Sequence, residues 1–254
     1  MAGIRYRGMD VPCVSAAEMT EVDRVMTDDY GIGLPLMMEN AGAALASLAR
    51  RMREAQRERT GPILILAGRG GNGGGGLVAA RRLSGSGWPI RVILAAEDLA
   101  ETTRMQRGVL NRMGVAVTTA TPTGLSHILE QAQRASLVID ALVGYGLRGP
   151  LVGLTAELAA LASRAGTPVL ALDVPSGLDP TAGFPTGPVV RATATLTLAL
   201  PKAGLITPEA RPFVGRLYLA DIGVPGAVYD RIGLTVGDIF RGHRVIPLRR
   251  QAAG

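Results

Sequence analysis

The chain has 254 residues, and its 47% hydrophobic content is enough for one large domain with a substantial core. No apolar run reaches the length of a membrane span, the opening residues lack the apolar core of a signal peptide, and the single cysteine, Cys13, excludes an intrachain disulfide and a multi-cysteine zinc site. The net charge of +6 comes without interleaved aromatics, which argues against a nucleic-acid surface; the cytoplasm is the expected setting, with Cys13 a small filler.

Residues 1–14 read as an irregular arm. Ser15 and Glu18 form a capping box that starts a helix running to about Asp28. Gly31 and Gly33 break it, and Pro35 suits the first turn of a long second helix, 36–59, with Leu36, Met37, Ala41, Ala44, Leu45, Leu48 and Met52 as its apolar stripe. Glu39 and Asn40 are exposed or belong to a site; spacing does not decide. Arg50, Arg51, Arg53, Arg57 and Arg59, interleaved with Glu54 and Glu58, read as a solvated helix face.

From Ile63 onward, apolar runs at 63–67, 90–95, 115–118, 137–140 and 169–172 alternate with amphipathic segments at 77–83, 102–113, 124–134 and 154–164. This alternation predicts βαβ crossovers and a mainly parallel sheet. Segments 194–200 and 216–221 read as further strands at the sheet edge. Beyond Pro225 the pattern weakens, and the tail from Arg249 reads as disordered. One domain, 15–248, follows.

Seven glycines fall between Gly68 and Gly76, broken only by Arg69 and Asn72, directly after the 63–67 strand. Glycine lets backbone N–H groups approach an anion, and a helix start just beyond adds to that preference. The run is a phosphate cradle or a flexible loop without a ligand. Gly68, Gly70 and Gly73 fit the dinucleotide fingerprint literally, but no Lys follows, which argues against a P-loop.

Ligands of open parallel sheets bind beyond the carboxyl ends of the strands. Besides the glycine run, three segments put polar or glycine residues there: Asp140 to Pro150, Asp173 to Asp179, and Leu200 to Gly204. An Asp ending an apolar strand can hold a cation, accept from a ribose hydroxyl, trade protons, or simply cap the next turn. Lys202 is the single lysine among 27 basic residues, which invites a functional reading. His127 and His243 read as surface residues. Without paired-His spacing a transition-metal site is not expected, whereas oxygen donors from Asn72, Asp140 and Ser176 suit a hard cation.

Six segments together resemble one family: Met38-Glu39-Asn40-Ala41-Gly42, the run Gly68 to Gly76, Asp140 to Pro150, Asp173 to Asp179, Pro201 to Gly204, and Ala220 to Pro225. In this order they resemble the NAD(P)H-hydrate epimerases, whose fold is also the amino-terminal half of bifunctional NAD(P)H-hydrate repair enzymes. The resemblance implies a Rossmann-like three-layer α/β/α sandwich and an enzyme that equilibrates the R and S forms of hydrated NADH and NADPH. It implies a potassium ion on Asn72, Asp140 and Ser176. It also implies substrate contacts at Gly71, Asn72, Gly73, Gly74 and Gly75, at Gly144, Tyr145, Gly146, Leu147, Arg148, Gly149 and Pro150, and at Asp173. Asp173 is the expected proton shuttle, and Lys202 is expected to neutralise a phosphate or fix a loop. The expected partner is the small-molecule substrate, with no nucleic acid and no membrane; the amino-terminal arm and first helices are candidates for packing in a homodimer. One departure stands out: Gly71 and Gly75 occupy positions where the family carries Asn and Asp. A nucleotide-binding module without full catalysis is therefore the alternative reading.

Overall fold

Ser15 opens the first helix as its pattern predicts: its hydroxyl accepts from the Glu18 amide, while the Glu18 carboxylate accepts from the Ser15 amide at 2.7 Å. The structure, a computed structural model, describes residues 4–56, 58–185 and 187–250. The arm before Ser15 is more ordered than expected, because β1 (Ile4–Tyr6) and β2 (Met9–Asp10) pair as a hairpin. Helix α1 (Ala16–Arg24) runs into a π-helical turn, Val25–Asp29, and Gly31 at φ +67° lets the chain reverse. Helix α2 (Leu34–Glu54) has Pro35 in its first turn and stops five residues short of the expected end. Its basic cluster is not one solvated face. Arg53 stacks over the Trp88 ring, and Arg59 leaves the helix to donate to the Gly166 carbonyl; Arg57 lies outside the described residues.

The alternating pattern then unfolds as β3 (Ile63–Ala67), α3 (Gly71–Gly85), β4 (Ile90–Leu94), α4 (Glu101–Arg112), β5 (Ala116–Thr119), α5 (Leu125–Arg134), β6 (Leu137–Ala141), α6 (Gly153–Arg164) and β7 (Val169–Leu172). The segments 194–200 and 216–221 are β8 (Ala194–Leu198) and β9 (Arg216–Ala220), with the short helix α7 (Arg211–Val214) between them. Both are parallel members of the main sheet. Helix α8 (Gly226–Arg231), β10 (Val245–Pro247) and β11 (Arg249–Arg250) complete the chain. β10 adds antiparallel to β9, and β11 pairs with β1. Arg249 and Arg250 are therefore ordered, contrary to the expected tail; residues 251–254 lie outside the described residues.

The main sheet has the order β10-β9-β8-β7-β6-β3-β4-β5. Counting from β3, this is the 3-2-1-4-5-6 order of a doubly wound fold, with its switch point between β3 and β6. Side chains alternate between two cores. Ile63, Ile65 and Ala67 face the layer of α1 to α4, while Leu64 and Leu66 face α5 and α6. The result is the expected three-layer α/β/α sandwich.

The glycine run differs from its expectation. Gly71 to Gly76 are the first residues of α3 itself, not a loop ahead of it. Each helical glycine costs about 1 kcal/mol relative to Ala. Packing overrides that cost. A Cβ on Gly73 would overlap the Gly68 carbonyl, one on Gly74 the Met38 methyl, and one on Gly76 would sit 2.6 Å from Ala141. Gly42 of α2 meets Val78 and the Gly75 carbonyl in the same way. The missing side chains let α2, α3 and the strand tips close up.

Candidate active site

At the switch point, beyond the carboxyl ends of β3, β6, β7 and β8, lies a cavity of about 540 Å³. Of the residues singled out from sequence, Gly71, Asn72, Gly75, Gly144, Tyr145, Gly146, Asp173 and Lys202 line it. Gly73 and Gly74 do not; their role is the close packing just described. Leu147, Arg148, Gly149 and Pro150 also lie off the lining, with Arg148, Gly149 and Pro150 exposed on the outward run of the loop after β6.

Asp173 follows β7 and is buried. Its Oδ1 accepts from Lys202 Nζ at 2.5 Å and its Oδ2 from the Tyr145 amide at 2.7 Å. Its backbone is left-handed at φ +69°, and so is that of Ala199 after β8 at φ +62°. Non-glycine residues rarely hold this conformation, and such strain gathers at functional sites. Lys202 has no solvent exposure; its ammonium also donates to the Leu198 carbonyl at 2.9 Å and lies 5.5 Å from the Tyr145 ring centre. The single lysine thus forms a fully enclosed ion pair. Its backbone is tied to the segment just ahead of α1: Val14 N–H donates to Pro201 O, and Ala203 N–H to Val14 O.

Asp140 is the penultimate residue of β6 and is also fully buried. Oδ1 accepts from the Ser176 hydroxyl at 2.7 Å and the Leu142 amide at 3.2 Å, and Oδ2 accepts from the Ser176 amide at 2.9 Å. Burial pushes its pKa up to about 6, with the Ser176 and Leu142 hydrogen bonds opposing the rise. It has no cationic partner among the described residues. Asn72, in the first turn of α3, has a buried Nδ2 with no hydrogen-bond partner among the described residues. A Cβ on Gly144 would come 2.6 Å from Asp173 Oδ2 and 3.2 Å from Asn72 Oδ1, so glycine here is what lets the amide and the carboxylate converge.

Sequence reasoning missed Asp23. It lies on α1, lines the cavity, and its Oδ2 accepts from the Tyr145 hydroxyl. Burial raises its pKa, with the Tyr145 hydrogen bond and Lys202 pulling the other way. Burial, followed by the Asp23 charge, raises the Tyr145 phenol and keeps it protonated. The signal was present: Asp23 stands four residues after the buried Met19, a carboxylate on the inward face of an amphipathic helix. Glu39 and Asn40, left open by spacing, both prove structural. Glu39 bridges α2 to Arg81 and Arg82 of α3, and Asn40 Nδ2 donates to the Ile222 carbonyl.

A doubly wound sheet with a cavity and a buried acid–lysine pair at its switch point places this chain among α/β proteins that bind a small ligand at that point. The family described as YjeF-related protein N-terminus matches residues 35–204, and the chain belongs to it. A protein of Dehalogenimonas lykanthroporepellens named NAD(P)H-hydrate epimerase is 38% identical over 89% of this chain and 88% of its own length. A Truepera radiovictrix protein of the same name is 36% identical over 87% of this chain and 94% of its own. The Bifunctional NAD(P)H-hydrate repair enzyme Nnr of Moorella thermoacetica is 38% identical, but this chain spans only 40% of its length. The crystal structure of yeast ynu0 superposes with a TM-score of 0.79 at 23% identity, over 93% of this chain and all of that one; the fold is shared. Among the described residues no helix is long and apolar enough to cross a membrane, and no group of three or more His, Cys, Asp or Glu is placed to hold a metal.

Proposed function

We propose that this protein interconverts the R and S epimers of hydrated NADH and NADPH, repairing damaged nicotinamide nucleotides. The observation that carries this reading is the enclosed Asp173–Lys202 pair at the switch-point cavity, in a chain 38% identical to a full-length epimerase. Inversion at C6 needs the ring nitrogen to push out the hydroxyl as water, leaving a planar iminium that takes water from the other face. Asp173, with Lys202 at 2.5 Å to resupply it, protonates the departing hydroxyl. Gly71 and Asn72 in the first turn of α3 line the cavity, and the helix start there suits the pyrophosphate.

Asn72, Asp140 and Ser176 fit a potassium ion. The donors are hard oxygens, and the Asp140 carboxylate is buried without a cation among the described residues. The ion supplies a fixed positive charge that holds the strand-tip carboxylate ionised. Gly75 lines the cavity where the family's Asp would stand, so this chain makes one charged contact fewer to substrate. The free thiol of Cys13 and the nucleotide substrate suit the cytoplasm. The exposed apolar side chains of Tyr30, Leu34 and Leu36 suit a homodimer.

The test is R/S exchange of hydrated NADH and NADPH by purified protein, resolved chromatographically with and without potassium. Exchange that is lost in Asp173→Asn supports the reading, and a wild-type protein without exchange ends it.

A further inference from the structure

We propose that Asp23 is the second acid–base group of this site and that Tyr145 positions it. The inference deepens the epimerase reading and rests on it. Inversion moves water out through one face of the nicotinamide ring and in through the other. One carboxyl cannot serve both faces unless the ring turns over within the site.

Asp173 and Asp23 grip opposite ends of the same residue. Asp173 Oδ2 accepts the Tyr145 backbone amide at 2.7 Å, and Asp23 Oδ2 accepts its phenol. Both carboxyls line the one cavity, so they stand a tyrosine side chain apart along its wall. In inverting glycoside hydrolysis, carboxyls about 6.5–9.5 Å apart leave room for the sugar and for a water on its far face. Held at the backbone and phenol ends of one tyrosine, the two carboxyls are distinct groups on the same cavity, so each can serve its own face of a flat nicotinamide ring. Asp23 Oδ1 has no hydrogen-bond or ion-pair partner among the described residues. The charged and titratable groups acting on Asp23 are Tyr145, Lys202 and Asp173, and Tyr229 lies within its field. Burial raises the Asp23 pKa, so it takes up a proton more readily than a solvated aspartate. The phenol stays protonated and donates, which fixes the orientation of the carboxylate.

In one direction the C6–O bond breaks with its electron pair on oxygen. That oxygen takes a proton from Asp173 and leaves as water, while the N1 lone pair forms the C=N bond. A second water then adds an oxygen pair to C6 from the opposite face, the C=N pair returns to nitrogen, and Asp23 takes the released proton. Solvent returns that proton to the Asp173–Lys202 pair between turnovers, and nothing is oxidised or reduced. The reverse direction exchanges the two roles.

The experiment follows R/S interconversion and incorporation of label from H2(18)O at C6 of each epimer, in wild type, Asp23→Asn, Asp23→Glu and Tyr145→Phe. The expected result for Asp23→Asn is a loss of interconversion of about 100-fold or more. The epimer whose hydroxyl faces Asp173 still exchanges its oxygen with retention, within a few-fold of wild type. Asp23→Glu restores part of the interconversion, and Tyr145→Phe lowers kcat about tenfold with KM unchanged. Interconversion by Asp23→Asn within threefold of wild type overturns the assignment. So does an equal loss of inversion and of label exchange in both epimers, which is the signature of a damaged fold. A wild-type protein that exchanges no epimers sinks the functional reading and Asp23 with it, whereas an active wild type beside an unimpaired Asp23→Asn sinks Asp23 alone.

Discussion

Replacing Lys202 by Met keeps the length of the side chain in its enclosed slot and removes the ammonium. Lys202 has no solvent exposure, and its partner Asp173 is buried beside it at 2.5 Å. Among the described residues the variant leaves the carboxylate with the Tyr145 amide alone for support, deep in the sheet-tip wall. Breaking a buried pair in this way costs about 3–5 kcal/mol, far more than the pair itself contributes relative to an apolar replacement. For a chain of this size that corresponds to a drop in Tm of about 6–20 °C. Urea titration reports it directly, because Trp88 is the only tryptophan and packs against the core beside Arg53. Adding Asp173→Asn removes the stranded charge, so the double variant recovers most of the loss. A Lys202→Met protein within about 1 kcal/mol of wild type would refute the claim that the pair is dry, and so would a double variant whose losses simply add.

Three further outcomes follow from the same geometry. Gly71→Ala stabilises the protein by up to about 1 kcal/mol, since a Cβ there meets only Leu34 Cδ1 at 3.8 Å, whereas Gly73→Ala drives into the Gly68 carbonyl and destabilises by about 1–3 kcal/mol or more; thermal melts of the two variants separate a packing role from a loop role. Burial lifts the Asp140 carboxyl from 3.8 to about 6, so its contribution to stability is complete below about pH 4 and is lost as pH rises through 6, on the order of 3 kcal/mol. Potassium favours the ionised form, so its stabilising effect in melts is larger at pH 7.5 than at pH 5, and equal effects at both remove the ion from Asp140. Gly75→Asp, whose Cβ displaces Leu172 Cδ2 from 3.0 Å by a few tenths of an ångström, returns a charged hydrogen bond of about 1.5–3 kcal/mol and lowers KM at least tenfold in the exchange assay; an unchanged KM shows that the glycine is no deficit.

The fold was legible because its strands are buried on both faces. Ile63 to Ala67 and Val169 to Leu172 are continuous apolar runs, and their boundaries read directly from the sequence. The first turns of α3 were not legible: local propensity argues against a helix of glycines, and only the contacts with Gly68, Met38 and Ala141 reveal why one forms there. β11 escaped because a two-residue strand has no period to detect. In the site, Asp140, Asp173 and Lys202 stood out as polar residues ending apolar strands. Asp23 did not, since a carboxylate on a helix is ordinarily solvated, and its tyrosine partner lies more than a hundred residues away. Leu34, Met37 and Ile222 reach the cavity from elements whose sequence advertises only packing.

The main-chain bridge between Val14 and Lys202 joins two segments with different duties. Val14 leads into the helix that bears Asp23, and Lys202 anchors Asp173, so the opposing jaws of the crevice share a single backbone clasp. Loosening the arm ahead of Ser15 would therefore slacken both jaws at once, because the clasp ties that arm to a residue of the crevice wall itself.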